Sequence, residues 1–228
     1  MSRHIRFQAA LRPNAYREKT LPALKYLDTK FAGEKKMSKT TMKESFFSVK
    51  RFVPMILGTL LYAALTIPFN VLPSPGSTGV IAVRPTVAIP MVFGIIFGPV
   101  TGFIVGLIGN ILSDFASFGG FFWNWEIGSG LLGAIPGIAY YVMKRTDWTK
   151  ARGLVTAAVL AIVASIVGIG FAVVADYIFQ IGVVPADASL AEFCFFAGSY
   201  AVNGAIITPI LLYAYAKATY GHGRSRLR

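Results

Sequence analysis

The chain has 228 residues, 55% of them hydrophobic and only 14% charged, with a mean hydropathy of +0.61. An ordinary soluble domain carries about 25% charged residues, so this composition excludes one and specifies an integral membrane protein. The net charge of +12 is concentrated in residues 1–51, which hold 13 Lys/Arg against 4 Asp/Glu. A basic flank beside apolar spans sets orientation and meets anionic lipid, so the lipid bilayer is the expected contact and nucleic acid is not.

Residues 1–51 contain no apolar run long enough to cross a bilayer. Leu21, Leu24, Leu27 and Phe31 either form one stripe of a surface helix or belong to a basic tail. Met37 opens a segment that makes a natural start, which leaves residues 1–36 as an extension. The first span is expected from Phe52 to Leu72, close to the roughly 20 residues a helix needs to cross. Pro73, Pro75, Gly76 and Gly79 then force a loop. The second span, Pro85–Phe97, is expected to be a short, proline-bent helix with Arg84 at its outer mouth.

Pro99 opens the third span, expected to reach Asp114. Its Gly102, Gly106, Gly109 and Ser113 share one face, the kind of surface that lets helix backbones approach closely in lipid. Asn110 and Asp114 lie one turn apart on a neighbouring face. A loop rich in Gly and Phe leads to the fourth span, Trp123–Met143, with Gly130, Gly133 and Gly137. A short basic loop leads to the fifth, Gly153–Phe179, which carries a long alanine and glycine stripe and ends in Asp176 and Gln180. The last span, Leu190–Ala218, places Tyr200 and Asn203 on one face.

The fold class is therefore all-α: a polytopic bundle of six transmembrane helices with both termini cytoplasmic. A basic tail (1–51) precedes the six-helix domain (52–218), and a second basic tail (219–228) follows it. The orientation rests on the positive-inside rule. The tails and the Lys144–Arg152 loop are basic, whereas the opposite loops set Arg84 against Asp114, Glu126, Asp187 and Glu192.

This topology collects the costly polar groups in the outer half, where they are functional candidates. The expected substrate-binding residues are Arg84, Asn110, Asp114, Trp123, Asn124, Trp125, Glu126, Asp176, Gln180, Tyr200 and Asn203. Arg84 suits a carboxylate or phosphate, the three acids an amine or ring N–H, and the aromatics a flat ring. Each has a plainer use. Asp114 can cap its helix or meet headgroups, and Trp123 and Trp125 can belong to an interface belt. Glu126 favours the helix dipole from the first turn. Asp176 can pair with Arg84, and Asn203 can bridge helices.

No catalytic, metal or cofactor site is expected. There is one cysteine, Cys194, and both histidines, His4 and His222, lie near the ends; no Walker, HExxH or GxSxG motif occurs. A proton- or ion-driven carrier places ionisable groups near the midplane, and none is evident, which makes a self-sufficient transporter or channel the alternative reading.

Over roughly Lys50–Ala218 the chain resembles the substrate-binding S components of energy-coupling factor (ECF) transporters, through its six spans, the FGPVTGFIVGLIGNILSD segment and the aromatic loop entering the fourth span. The resemblance implies a non-enzymatic, multi-pass subunit of a bacterial or archaeal cell membrane. Such a subunit captures a vitamin or related micronutrient outside and docks on a transmembrane coupling subunit that carries two ATPase subunits. It also implies a partner-docking face on the first helix, where the family's Ala-x-x-x-Ala pattern is approximated by Gly58, Thr59, Ala63 and Ala64.

Overall fold

The computed structural model describes residues 49–70, 84–143, 146–179 and 189–225, and these contain helices and no strand. The helices are α1 (Val49–Asn70), a single 3₁₀ turn (Pro85–Val87) running into α2 (Ala88–Phe97), α3 (Pro99–Phe118), α4 (Trp123–Gly137), α5 (Ala139–Val142), α6 (Ala151–Phe179) and α7 (Ser189–Ser225). Six helical segments result, α5 being a one-turn continuation of α4. Four of them, α1, α3, α6 and α7, are long and apolar enough to cross a membrane.

The helices follow one another in space. α1 packs on α3, α3 on α4, α4 on α6 and α6 on α7, while α2 touches α1, α3, α4 and α7. α2 is apolar all round, and its residues Ala88–Val92, Gly94 and Ile95 are buried. A helix with no polar face belongs inside. That placement resolves its length: Pro85–Phe97 reaches roughly 20 Å, short of a roughly 30 Å hydrocarbon core, but protein rather than lipid encloses it.

Glycine governs the close contacts. Gly98 joins α2 to α3 at φ 103°, a backbone angle that suits glycine, and Pro99 follows at the first helical position, where no N–H is needed. Gly102 of α3 lies against the Gly133 backbone of α4, where an added Cβ would stand 2.6 Å from the Gly133 carbonyl carbon. Gly128 of α4 meets Gly168 of α6 in the same manner, at 2.7 Å from its carbonyl oxygen. Side chains fill the rest of the interior. Val92, Ile95, Ala139, Ala157 and Leu212 pack near the Gly98 turn, and Val87, Met91, Leu132, Phe196 and Tyr200 pack beneath Arg84.

Between α5 and α6 the Asp147 carboxylate accepts the Thr149 hydroxyl at 2.6 Å and the Thr149 N–H at 3.0 Å, and Lys150 stands 3.8 Å away. These contacts, the Thr149 hydroxyl first, hold its carboxyl below the usual carboxylate range.

Several boundaries differ from expectation. α3 continues one turn past Asp114 to Phe118, ended by Gly119 in the left-handed region, so Asp114 sits within the helix rather than at its end. The fourth span breaks at Ile138, two residues after Pro136. α7 runs to Ser225, into the stretch read as a basic tail. Arg84 is 7% exposed, not at a mouth, because it caps the enclosed 3₁₀ turn. The Leu21–Phe31 stripe, most of the basic tail and Gln180 lie outside the described residues.

Candidate functional site

Three helices deliver polar groups to the head of α2. The 3₁₀ turn carries Arg84, α3 carries Asn110, Ser113 and Asp114, and α4 carries Glu126. All five side chains are buried. Arg84 Nη1 donates to Asn110 Oδ1 at 3.0 Å, and Nη2 stands 3.6 Å from Asp114 Oδ1. The Asn110 amide nitrogen donates to Asp114 Oδ2 at 2.8 Å and to Glu126 Oε2 at 2.7 Å. Asn70, at the end of α1, reaches Asp114 Oδ1 at 3.4 Å and Ser117 Oγ at 3.0 Å. Charges this deep survive only when paired and hydrogen-bonded, and here one guanidinium stands against the Asp114 carboxyl and is linked to that of Glu126 through the Asn110 amide.

The network forms the polar wall of a cavity of about 150 Å³, lined by Arg84, Asp114, Phe118, Phe122, Trp125, Phe196 and Tyr200. Two charged groups and five aromatic rings make a mostly apolar space with a few polar groups to set orientation, the usual composition of a small-molecule site. Arg84 Nε has no hydrogen-bond partner among the described residues. Trp125 stands edge-on to Phe196 at 5.1 Å, and Phe196 edge-on to Tyr200 at 6.4 Å.

Of the expected site residues, Arg84, Asn110, Asp114 and Glu126 form the network, and Arg84, Asp114, Trp125 and Tyr200 line the cavity. Trp123 points elsewhere, edge-on to Phe179 at 5.6 Å and Phe171 at 6.5 Å. Asn124 donates to the Ala172 carbonyl at 2.9 Å and ties α4 to α6. Asp176 does not pair with Arg84, whose charge Asp114 meets; it accepts the Trp125 indole N–H at 2.8 Å. Asn203 turns back to the Ser199 carbonyl of its own helix at 2.9 Å.

Asn70, Phe118, Phe122 and Phe196 were not among the expected site residues. The one legible signal was Asn70, a polar side chain in the last turn of an apolar span. The residues of the expected docking stripe are divided between the interior and the surface of the bundle. Gly58, Thr59 and Ala63 are buried inside the bundle, where Gly58 faces Phe93 and Val105, and only Ala64 of the four is exposed.

An all-helical membrane bundle with an enclosed polar network beside an aromatic cavity defines a membrane-embedded small-molecule protein. The chain matches the family described as "ECF-type riboflavin transporter, S component" over residues 46–217 and belongs to it. That is a family of transporters, not enzymes. A UPF0397 protein of Lactobacillus acidophilus is 32% identical over 191 residues, covering 81% of this chain and 98% of the relative. A UPF0397 protein of Lactobacillus helveticus is 35% identical over 99 residues, covering 43% of this chain and 51% of that relative, so the chain spans about half of the latter's length. No solved structure matches the chain.

Proposed function

We propose that this chain is the substrate-binding subunit of an energy-coupling factor importer in the cell membrane, with both termini cytoplasmic and the Arg84 end of the bundle facing out. It captures a vitamin-like molecule there and delivers it through a transmembrane coupling subunit driven by two ATPase subunits. The observation that carries this reading is the aromatic cavity closed at one end by the Arg84–Asp114 pair. An apolar cavity of about 150 Å³ takes up a molecule the size of benzene, so this one admits the end ring of a flat heterocycle. The guanidinium supplies donors and the carboxylate supplies acceptors to that ring's polar edge. Riboflavin, named by the family's description, has such an edge and is the first ligand to test.

Mass spectrometry of molecules extracted from the purified chain identifies the ligand. Vesicle uptake then tests the coupling. Accumulation is expected only when the coupling and ATPase subunits are present with ATP. Uptake by the chain alone would overturn the reading in favour of a self-sufficient transporter.

A further inference from the structure

Asp176 is buried near the end of α6 but does not line the cavity. Its place follows from the seam between α4 and α6. Gly128 meets Gly168, Asn124 meets the Ala172 carbonyl, and Trp125 meets Asp176. Residues 168, 172 and 176 are successive turns of α6, so the seam sets the carboxylate opposite the indole. Trp125 is consequently gripped on two sides, by Asp176 at its N–H and by Phe196 of α7 against its ring. The ring contact alone sets a distance. The hydrogen bond adds direction, turning the pyrrole edge toward α6 and away from the cavity.

The indole N–H has one donor to give, and Asp176 takes it. The cavity therefore receives an aromatic surface from Trp125 and no free donor. Of the other polar groups nearby, Arg84 is held by Asp114 and Asn110, while Asn124, whose amide donates to the Ala172 carbonyl, stands beside Asp176 on the same α4–α6 seam. We propose that Asp176 is a positioning residue, which holds Trp125 as the wall of the cavity and influences a bound molecule only through that ring. The effect on binding rests on the cavity being the ligand site, whereas the effect on Trp125 does not.

The test uses the full chain in detergent with Trp123 and Trp148 replaced by Phe, leaving Trp125 as the sole emitter of the three tryptophans. Asp176→Ala should shift the Trp125 emission, and Asp176→Asn, whose amide oxygen still accepts, should restore it. If the alanine variant does not fold, Asp176→Leu against Asp176→Asn gives the same comparison. The second arm measures riboflavin affinity for the wild type, D176A, W125F and the double variant. D176A should weaken binding about 5- to 100-fold, as loss of one partner of a buried hydrogen bond does. In the W125F background it should add nothing. Emission identical in D176A and its parent, or a D176A effect of full size without Trp125, would overturn the proposal. If riboflavin fails to bind the wild type, the flavin assignment falls, and the emission arm alone decides the role of Asp176.

Discussion

The Asn110 amide nitrogen stands 2.8 Å from Asp114 Oδ2 and 2.7 Å from Glu126 Oε2, so a single NH₂ group separates the carboxyls of α3 and α4. Its oxygen accepts Arg84, which leaves neither N–H of the amide free. Replacing Asn110 with Ala removes all of these contacts together. Each buried polar group left unpaired costs about 1–3 kcal/mol, more when charged. Asn110→Ala is therefore expected to lower the thermal unfolding midpoint of the ligand-free protein sharply. Asn110→Asp should be worse, because it places a third carboxyl against the other two. A midpoint equal to the wild type's in either variant would show that the network does not hold the helices.

The glycine contacts give a prediction with an internal control. A Cβ at Gly128 would stand 2.7 Å from the Gly168 carbonyl oxygen, so Gly128→Ala must push α4 from α6. Overpacking of this kind costs about 1–3 kcal/mol. Gly198 lies on α7 with nothing within 4 Å of an added Cβ. There alanine gains helix propensity, about 1 kcal/mol at most. Thermal unfolding of the two variants should move in opposite directions. A shared direction would mean that close backbone approach is not what these glycines provide.

The six segments were legible because apolar length and proline–glycine punctuation are local properties. The Asn110–Asp114 pair was legible for the same reason, being one helical turn apart. Partner choices across helices were not. Arg84 lies 30 residues before Asp114 and 92 before Asp176, and no local pattern in the chain says which of the two carboxylates it meets. The distinction lies in rotation: Asp176 follows Gly168 and Ala172 along the α4 seam, which carries it to Trp125. The packing of the α1 stripe was not legible for a related reason. Gly58, Thr59 and Ala63 are small, and small residues serve an internal seam as well as an external one. Only the positions of Phe93, Val105 and Gly109 reveal which seam is occupied.

Orientation is checked by cysteine labelling. With Cys194 removed, single cysteines at Ser77 and Ala188 are expected to react with an impermeant thiol reagent in intact cells, whereas Cys at Thr149 is not. Thr149 belongs to the basic Lys144–Arg152 segment, and short basic loops stay on the cytoplasmic side. Labelling at Thr149 without lysis would invert the arrangement.

The Arg84–Asp114 pair carries the last prediction. Arg84 is the only Lys or Arg between Phe52 and Met143, so that whole stretch offers no substitute cation. Its Nη2 is 3.6 Å from Asp114 Oδ1, and both side chains are under 10% exposed. Deleting one member of a buried pair leaves an uncompensated charge and costs about 3–5 kcal/mol, whereas replacing both with neutral groups can be nearly neutral. Arg84→Gln and Asp114→Asn are each expected to destabilise the ligand-free protein strongly. The double variant should lose less than the two single losses added together, by a coupling of about 1–3 kcal/mol, the size found for residues in one network. Ligand affinity should show no such relief. Both groups line the cavity, and the double variant has lost the full charges that orient a polar ring edge. Relief of stability without relief of affinity would therefore separate the two roles of the pair. Relief of both would mean that the pair supports the bundle and leaves recognition to the aromatic walls.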